Sequence, residues 1–359
     1  MRYHAVLAHF TKITYGRYKK LAAHFSDLKN LWEAGLAELV KAGLEENIAR
    51  EFLLWRSQNP AEQILERLEK ENIRTVSITE PDYPALLKEI YDPPHTLFVR
   101  GILPKNGPAL AVVGTRKLTG YGRQACEELV KPLAKSGLII VSGLALGIDG
   151  VAHQTALDNN GITLAVLGSG IDKQHIYPAA HKQLAEKIIS QGGAVISEYP
   201  PGFLPSQYSF PARNRIIAGL CLGTLVIEAP ESSGALITAR HALDYNREVF
   251  AVPHPINSLT GAGPNNLIKL GARLITAAQD IADALNLKIM ADTAIDGHDA
   301  SLSADENKIL AVLSGEPKHI DNIIKETNLP SQTITANLTL LEVKSKVRNL
   351  GGMNYVKTL

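Results

Sequence analysis

Five short stretches combine bare backbone amides with side chains able to hold an anion. Gly114-Thr115-Arg116 ends the apolar run Ala109–Val113, and Thr119-Gly120-Tyr121-Gly122 follows it. Ser142 to Asp149 ends a second run, Leu138–Val141. Gly168-Ser169-Gly170 precedes His175-Ile176-Tyr177-Pro178, and Glu231-Ser232-Ser233-Gly234 opens another amphipathic segment. The fifth, Phe210-Pro211-Ala212-Arg213-Asn214-Arg215, is the most informative. If a helix begins near Pro211, Arg213 and Arg215 lie in its first turn, where positive charge opposes the helix dipole. They then make better sense as anion ligands than as helix stabilisers, with an ion pair to Glu198 or Glu231 as the competing use. Asn214 adds an amide, and the Phe210 ring offers a stacking surface worth ~1–3 kcal/mol per nucleic-acid base.

The same residues fit other chemistries poorly. The Gly-rich turns match neither the GxGxxG dinucleotide fingerprint nor the GxxxxGKS phosphate loop. Asp149 and His153 stand four apart with no third metal ligand in view, so a capping Asp and a packed His account for them. No GxSxG serine and no Cys–His arrangement is present. Pro230–Thr238 is similar to the PGGxGTxxE loop of nucleotide phosphoribohydrolases. Thr238, however, stands where that loop has its catalytic Glu, and Glu231-Ser232 replaces its Gly pair. A nucleotide-binding or phosphoribohydrolase-like protein is therefore the alternative reading, and no enzymatic activity is expected.

Positioning these loops requires strands that alternate with helices. Ala109–Val113, Leu138–Val141, Thr163–Leu167, Ala194–Ser197, Thr224–Glu228, Val249–Val252 and Arg273–Ile275 are short and nearly all apolar. Helical periodicity falls between most of them, first over Thr119–Lys135. The pattern predicts an α/β fold, a Rossmann-like doubly wound, mostly parallel sheet over residues 108–287. Ligands of such sheets settle at the carboxyl ends of the strands.

Before it, residues 1–77 read as an all-α domain, of helix-hairpin-helix or SAM-like type. Ala42-Gly43-Leu44 there is a turn that can hold a phosphate or serve packing alone. The four prolines among residues 78–101 predict an extended linker over 78–107 with one helical turn and no chemistry. Polar residues 288–303 read as a flexible linker. Residues 304–359 have three helical segments, Asp305–Leu313, His319–Thr327 and Ser331–Leu341. A strand pair around Val347 and Tyr355, turned at Gly351-Gly352, completes a winged-helix pattern. Its third helix carries no Lys or Arg, which favours a protein-contact or regulatory role over DNA reading.

Composition bounds what remains. Across 359 residues Lys plus Arg number 37 and Asp plus Glu 36, so no general field draws a polyanion and any anion site must be local. Cys126 and Cys221 suit neither a disulfide framework nor a metal. Without a leader or a bilayer-length apolar run, a cytoplasmic protein is expected.

Together GTRxxTxYG, SGLAxGID with Ala152-His153, FPxRNRIIAGL, EAxxxSGxLxTA and DYPxLLxxIxDPPxxLFxRG resemble the DNA-processing protein A family, DprA, also called Smf. The resemblance runs from about residue 78 to 287. It implies a homodimeric single-stranded-DNA-binding protein of natural transformation that protects incoming strands and helps load the RecA recombinase, without a cofactor. By motif it implies a DNA pocket of Gly114, Thr115, Arg116, Lys117, Ser142, Gly143, Phe210, Arg213, Asn214, Arg215, Ser233 and Gly234. Leu146 stands where many relatives are basic or polar. Arg116, Lys117, Arg213 and Arg215 are expected to converge.

Overall fold

Ala109–Val113 is an interior strand of a nine-stranded sheet. Leu110 and Val112 join one buried cluster while Ala109, Ala111 and Val113 join another, as the two-residue period of a strand dictates. The computed structural model describes residues 2–104, 107–288, 302–344 and 346–357. It divides into two units, 1–290 and 291–359.

The first unit begins with helices α1 (Tyr3–Leu7), α2 (Tyr15–His24), α3 (Leu28–Glu33), α4 (Leu36–Lys41), α5 (Glu46–Gln58) and α6 (Ala61–Lys70). Gly43 turns between α4 and α5 at a φ of 95°, open to Gly at little cost. Then come β1 (Arg74–Ser77), the single turn α7 (Ala85–Lys88), β2 (Thr96–Gly101), β3 (Ala109–Val113), α8 (Gly120–Lys135), β4 (Ile139–Ser142), α9 (Ile148–Asp158) and β5 (Thr163–Leu167). The unit continues with α10 (Lys182–Ser190), β6 (Ala194–Ser197), α11 (Ser209–Gly219), β7 (Gly223–Val226), α12 (Ala235–Asp244), β8 (Glu248–Ala251), α13 (Ala262–Lys269), β9 (Arg273–Leu274) and α14 (Ala278–Ala284).

Strand order is β1-β2-β6-β5-β4-β3-β7-β8-β9, parallel from β6 to β9. The chain winds from β3 out to β6, then returns to the other side of β3 as β7. That reversal leaves a crevice at the carboxyl ends of β3 and β7, the switch point where α/β sheets take ligands. Apolar residues of α8, α9 and α14 cover one face, and those of α10, α11 and α12 the other.

Two expectations need correction. Thr96–Gly101, read as part of a linker, is a buried strand paired antiparallel with β6, and Arg74–Ser77, read as part of the helical segment, pairs with it in turn. The prolines occupy only the turns ahead of the apolar TLFV run, so they bend the chain without preventing a strand. The N-terminal helices bury Leu7, Leu21, Leu31 and Phe52 in the same cluster as Phe98 of β2. The stretch 288–303, read as a linker, lies outside the described residues from 289 to 301.

The second unit contains α15 (Ala304–Val312), β10 (Lys318–His319), α16 (Ile320–Thr327), α17 (Ser331–Val343), β11 (Val347–Asn349) and β12 (Asn354–Lys357). Ile309, Ile323, Ile334, Leu338 and Leu341 make its core. The expected strand pair gains β10 as a third strand, in the order β10-β12-β11.

Candidate nucleic-acid interface

A cleft of about 690 Å³ opens at the switch point. Its walls are the turn after β3 (Gly114, Thr115, Arg116), the turn after β7 (Ser233, Gly234) and α11 (Phe210, Arg213, Asn214). Eight of the twelve residues expected at the pocket therefore meet there. Lys117 is exposed beside the cleft, and Ser142, Gly143 and Arg215 are not part of its wall.

Arg116 is the cleft's exposed cation. Its guanidinium carbon lies 5.5 Å from the centre of the Phe210 ring, and no carboxylate among the described residues pairs with it. The ring of Tyr177, 46% exposed, lies 5.5 Å from Phe210. A planar cation and two rings thus form one open surface, suited to a base on the rings and a phosphate on the guanidinium.

Arg213 has a different role. Helix α11 begins at Ser209, not near Pro211, because Ser206 and Ser209 exchange hydrogen bonds that start it two residues earlier. Arg213 thereby moves out of the first turn and is only 5% exposed, its guanidinium donating to the carbonyls of Gly143 (2.7 Å) and Val166. Burial pulls this group down to about 10, with the charge of Asp149 opposing the shift, so it stays charged at neutral pH. Asp149 is itself pushed upward by burial, against the pull of Arg213. Together they tie the turn after β4 to α11.

Asp149 also changes the expected amide cradle. Expected as a helix cap, it lies inside α9, and its carboxylate accepts from the N–H of Gly143 (3.0 Å) and of Ala145 (3.3 Å). Thr115 N–H donates to the Glu228 carbonyl and Lys117 N–H to the Thr115 hydroxyl. The Ser142 hydroxyl, fully buried, donates to the carbonyl of Val112. The sequence marked these amides and this hydroxyl as available, yet the fold uses them internally. Asn214 donates to the Gly234 carbonyl at 3.1 Å, bracing the turn after β7.

Arg215 faces away from the cleft. It makes a 2.6 Å pair with Glu198 and a 3.7 Å pair with Asp92, beside a cavity of about 250 Å³ under the N-terminal helices. The competing use weighed for it, an ion pair to Glu198, is the one observed, so four cations do not converge.

The sequence missed Glu228. This buried carboxylate accepts from Thr119 N–H (2.9 Å), the Thr119 hydroxyl (2.7 Å) and the Thr260 hydroxyl (3.0 Å). It shapes the turn that presents Arg116. Gly122 is required beside it, since a Cβ there would approach the carboxylate to 2.0 Å. The available signal was a Glu ending an otherwise apolar parallel strand.

His153 Nδ1–H donates at 2.7 Å to the Thr163 hydroxyl, which itself donates to the Ile140 carbonyl, and burial lowers the His153 pKa to about 3. Asp149 and His153 thus serve separate partners. Among the described residues no group of three potential metal ligands is found. Both cysteines are free and buried, and burial raises each thiol. No described helix is long and apolar enough to cross a membrane.

The family model of DNA recombination-mediator protein A matches residues 74–286, and that of the DprA winged helix domain matches 296–353. The chain belongs to the DNA recombination-mediator protein A family. Among curated relatives, protein Smf of Synechocystis is 36% identical over 94% of each chain, and protein Smf of Escherichia coli 38% identical over 89% of this chain and 86% of that one. DprA from Streptococcus pneumoniae superposes with a TM-score of 0.67 at 35% identity, over 81% of this chain and 99% of that one. DNA processing protein A from Helicobacter pylori, whose structure concerns a single-stranded DNA binding mode, gives 0.53 at 31% identity over 60% and 95%. The range matched by the family model, residues 74–286, spans the strands and turns that form the cleft.

Proposed function

We propose that the chain binds single-stranded DNA in the cleft at the ends of β3, β4 and β7, with Arg116 holding a phosphate and Phe210 and Tyr177 receiving a base. Thr115, Asn214, Ser233 and Gly234 complete the wall. Arg213 holds its shape, with Gly114 keeping the backbone close. The observation that carries this reading is the unpaired Arg116 guanidinium lying on the Phe210 ring at the mouth of the cleft. The Helicobacter pylori relative supports it by the DNA chemistry named for it. Sequence preference is expected to be slight, since stacking accepts every base.

The family further supports a role in natural transformation, in which a cytoplasmic homodimer protects incoming strands and helps load RecA. No catalytic step is assigned to the cleft. Asp149, the carboxylate on its wall, is engaged with two amides, and Thr238 offers no general base.

The test is fluorescence anisotropy of labelled oligo(dT) and of matched duplex over a salt series. The wild type should prefer the single strand, and each phosphate held contributes a salt slope of about −0.7. Arg116→Ala should weaken binding and flatten the slope by about that amount. Equal affinity in the variant would remove the cleft reading, and binding of a mononucleotide without oligo(dT) affinity would favour the nucleotide-binding alternative. RecA loading is tested by RecA ATPase on strands coated with single-strand-binding protein, with and without this chain.

A further inference from the structure

With Arg213 buried and engaged by the Gly143 and Val166 carbonyls, and Arg215 paired with Glu198 away from the cleft, the cleft holds one unpaired cation, Arg116. A polyanion bound there alone would gain little electrostatic affinity, which accrues over several phosphates. Further charge lies on the other flank of the turn after β4. There a groove of about 350 Å³ is lined by Leu118, Arg123, Gln154, His181, Gln183 and Lys187, and no carboxylate lines it. In a chain of net charge +1, that concentration of one sign is notable.

The groove and the cleft are neighbours. A small hollow shares Arg116, Tyr177 and Phe210 with the cleft and reaches Leu146 and Pro178. Gly147, next to Leu146, and Ala180, two residues after Pro178, line the groove. Beyond it, Gln183 and Lys187 also border a depression with Lys173, Lys182 and Glu186.

Three nearby carboxylates each have a partner. Glu186 pairs with Arg100 at 2.8 Å, and Asp158 accepts from the Gln154 amide at 2.6 Å. Glu127 meets Arg123 at 3.7 Å with both side chains well exposed, a weak pair. Arg123 lies in the first turn of α8, and Lys182 begins α10, both ends where the helix dipole disfavours a cation. His181 is fixed by a 2.9 Å hydrogen bond from Nδ1–H to the Leu144 carbonyl and lies against Gly150, where a Cβ would meet its ring at 2.6 Å. Helix stability therefore explains neither Arg123 nor Lys182, and His181 is held in place by the turn that separates the two sites.

We propose that this groove is a second backbone subsite for the same single strand, in which Arg123 and Lys187 hold phosphates beyond the nucleotides seated in the cleft and His181 forms part of its floor. The inference rests on the single-strand reading above and gives it a direction: the strand leaves the cleft over Leu146 and runs along the α8–α10 side. It also gives the exposed Leu146 a role, as an uncharged crest between two phosphate sites.

The experiment compares the full chain with Arg123→Ala/Lys187→Ala, using oligo(dT) of about 6 and about 20 nucleotides across a salt series. Both side chains are exposed, so the urea midpoint should not move. The double variant should match the wild type on the short oligonucleotide. On the long one it should bind roughly tenfold more weakly, with a slope shallower by about 1.4 for two lost phosphates. Arg123→Lys/Lys187→Arg, which keeps the charge, should restore long-strand affinity. Equal affinity of the double variant at both lengths would overturn the subsite while leaving the cleft reading intact. An equal loss at both lengths would also overturn it, since the residues would then act on the cleft. A wild type that binds neither length would instead remove the single-strand reading on which the proposal rests.

Discussion

Arg213 and Arg215 stand two residues apart on one helix and build two different regions. Arg213 joins the buried side of the cleft, held by two backbone carbonyls, with the charge of Asp149 opposing the effect of its burial. Arg215 belongs to the junction under the N-terminal helices, paired with Glu198 beside a cavity lined also by His95 and Tyr199. Neither faces solvent as Arg116 does. An arginine in an anion-binding motif is thus no guide by itself to which guanidinium touches the anion. The cleft presents one cation and uses another to hold its loops, whereas the junction uses its cation to fasten the N-terminal helices' side of the sheet.

The contrast fails or sharpens through substitutions in the two regions. Arg213→Ala should cost about 3 kcal/mol in urea unfolding, because it leaves two buried carbonyls without their charged donor. A loss under about 1 kcal/mol would return Arg213 to the list of exposed ligands. Arg215→Ala should cost about 2 kcal/mol, less because its pair with Glu198 is partly exposed, and should leave oligo(dT) affinity unchanged. Weaker DNA binding in that variant, with stability intact, would erase the distinction.

Acid sharpens the comparison next. Burial lowers His9 and His95 at the junction to about 4, and His153 beneath the cleft to about 3. The unfolded chain takes up these protons near 6.5 and the folded chain does not, so stability falls as pH drops from about 6.5 toward 4. His9→Phe, which keeps a ring against Phe98, should flatten that dependence by about 1.4 kcal/mol per pH unit. An unchanged slope in urea titrations at several pH values would show that His9 is already charged in the fold. The smallest expected effect is on binding: Phe210→Ala should weaken oligo(dT) by about 1 kcal/mol, with Tyr177 still beside the site and the urea midpoint held. A drop in stability instead would make Phe210 a packing residue.

Much of the sheet was legible because each parallel strand is a short apolar run ended by a loop residue, as in Ala109–Val113 before Gly114. Strand β2 was not, because Pro93 and Pro94 dominate its neighbourhood while the information lies in the TLFV run after them. The location of the cleft was legible from the Gly-rich turns and from Arg116 and Phe210. The use of each group was not. Whether Gly143 N–H meets a ligand or Asp149 depends on a carboxylate six residues away that reads equally well as a cap. Whether Arg215 meets DNA or Glu198 depends on which side of α11 faces the cleft, and Arg213 and Arg215, two residues apart, lie on different sides of it.

The central claim is tested most directly by a crystal structure of the full chain with a short oligo(dT). The account predicts a phosphate at hydrogen-bonding distance from the Arg116 guanidinium and a base against Phe210, with the Arg215–Glu198 pair undisturbed. A strand bound at the junction or elsewhere, with the cleft beside Arg116 holding no nucleotide, would contradict it.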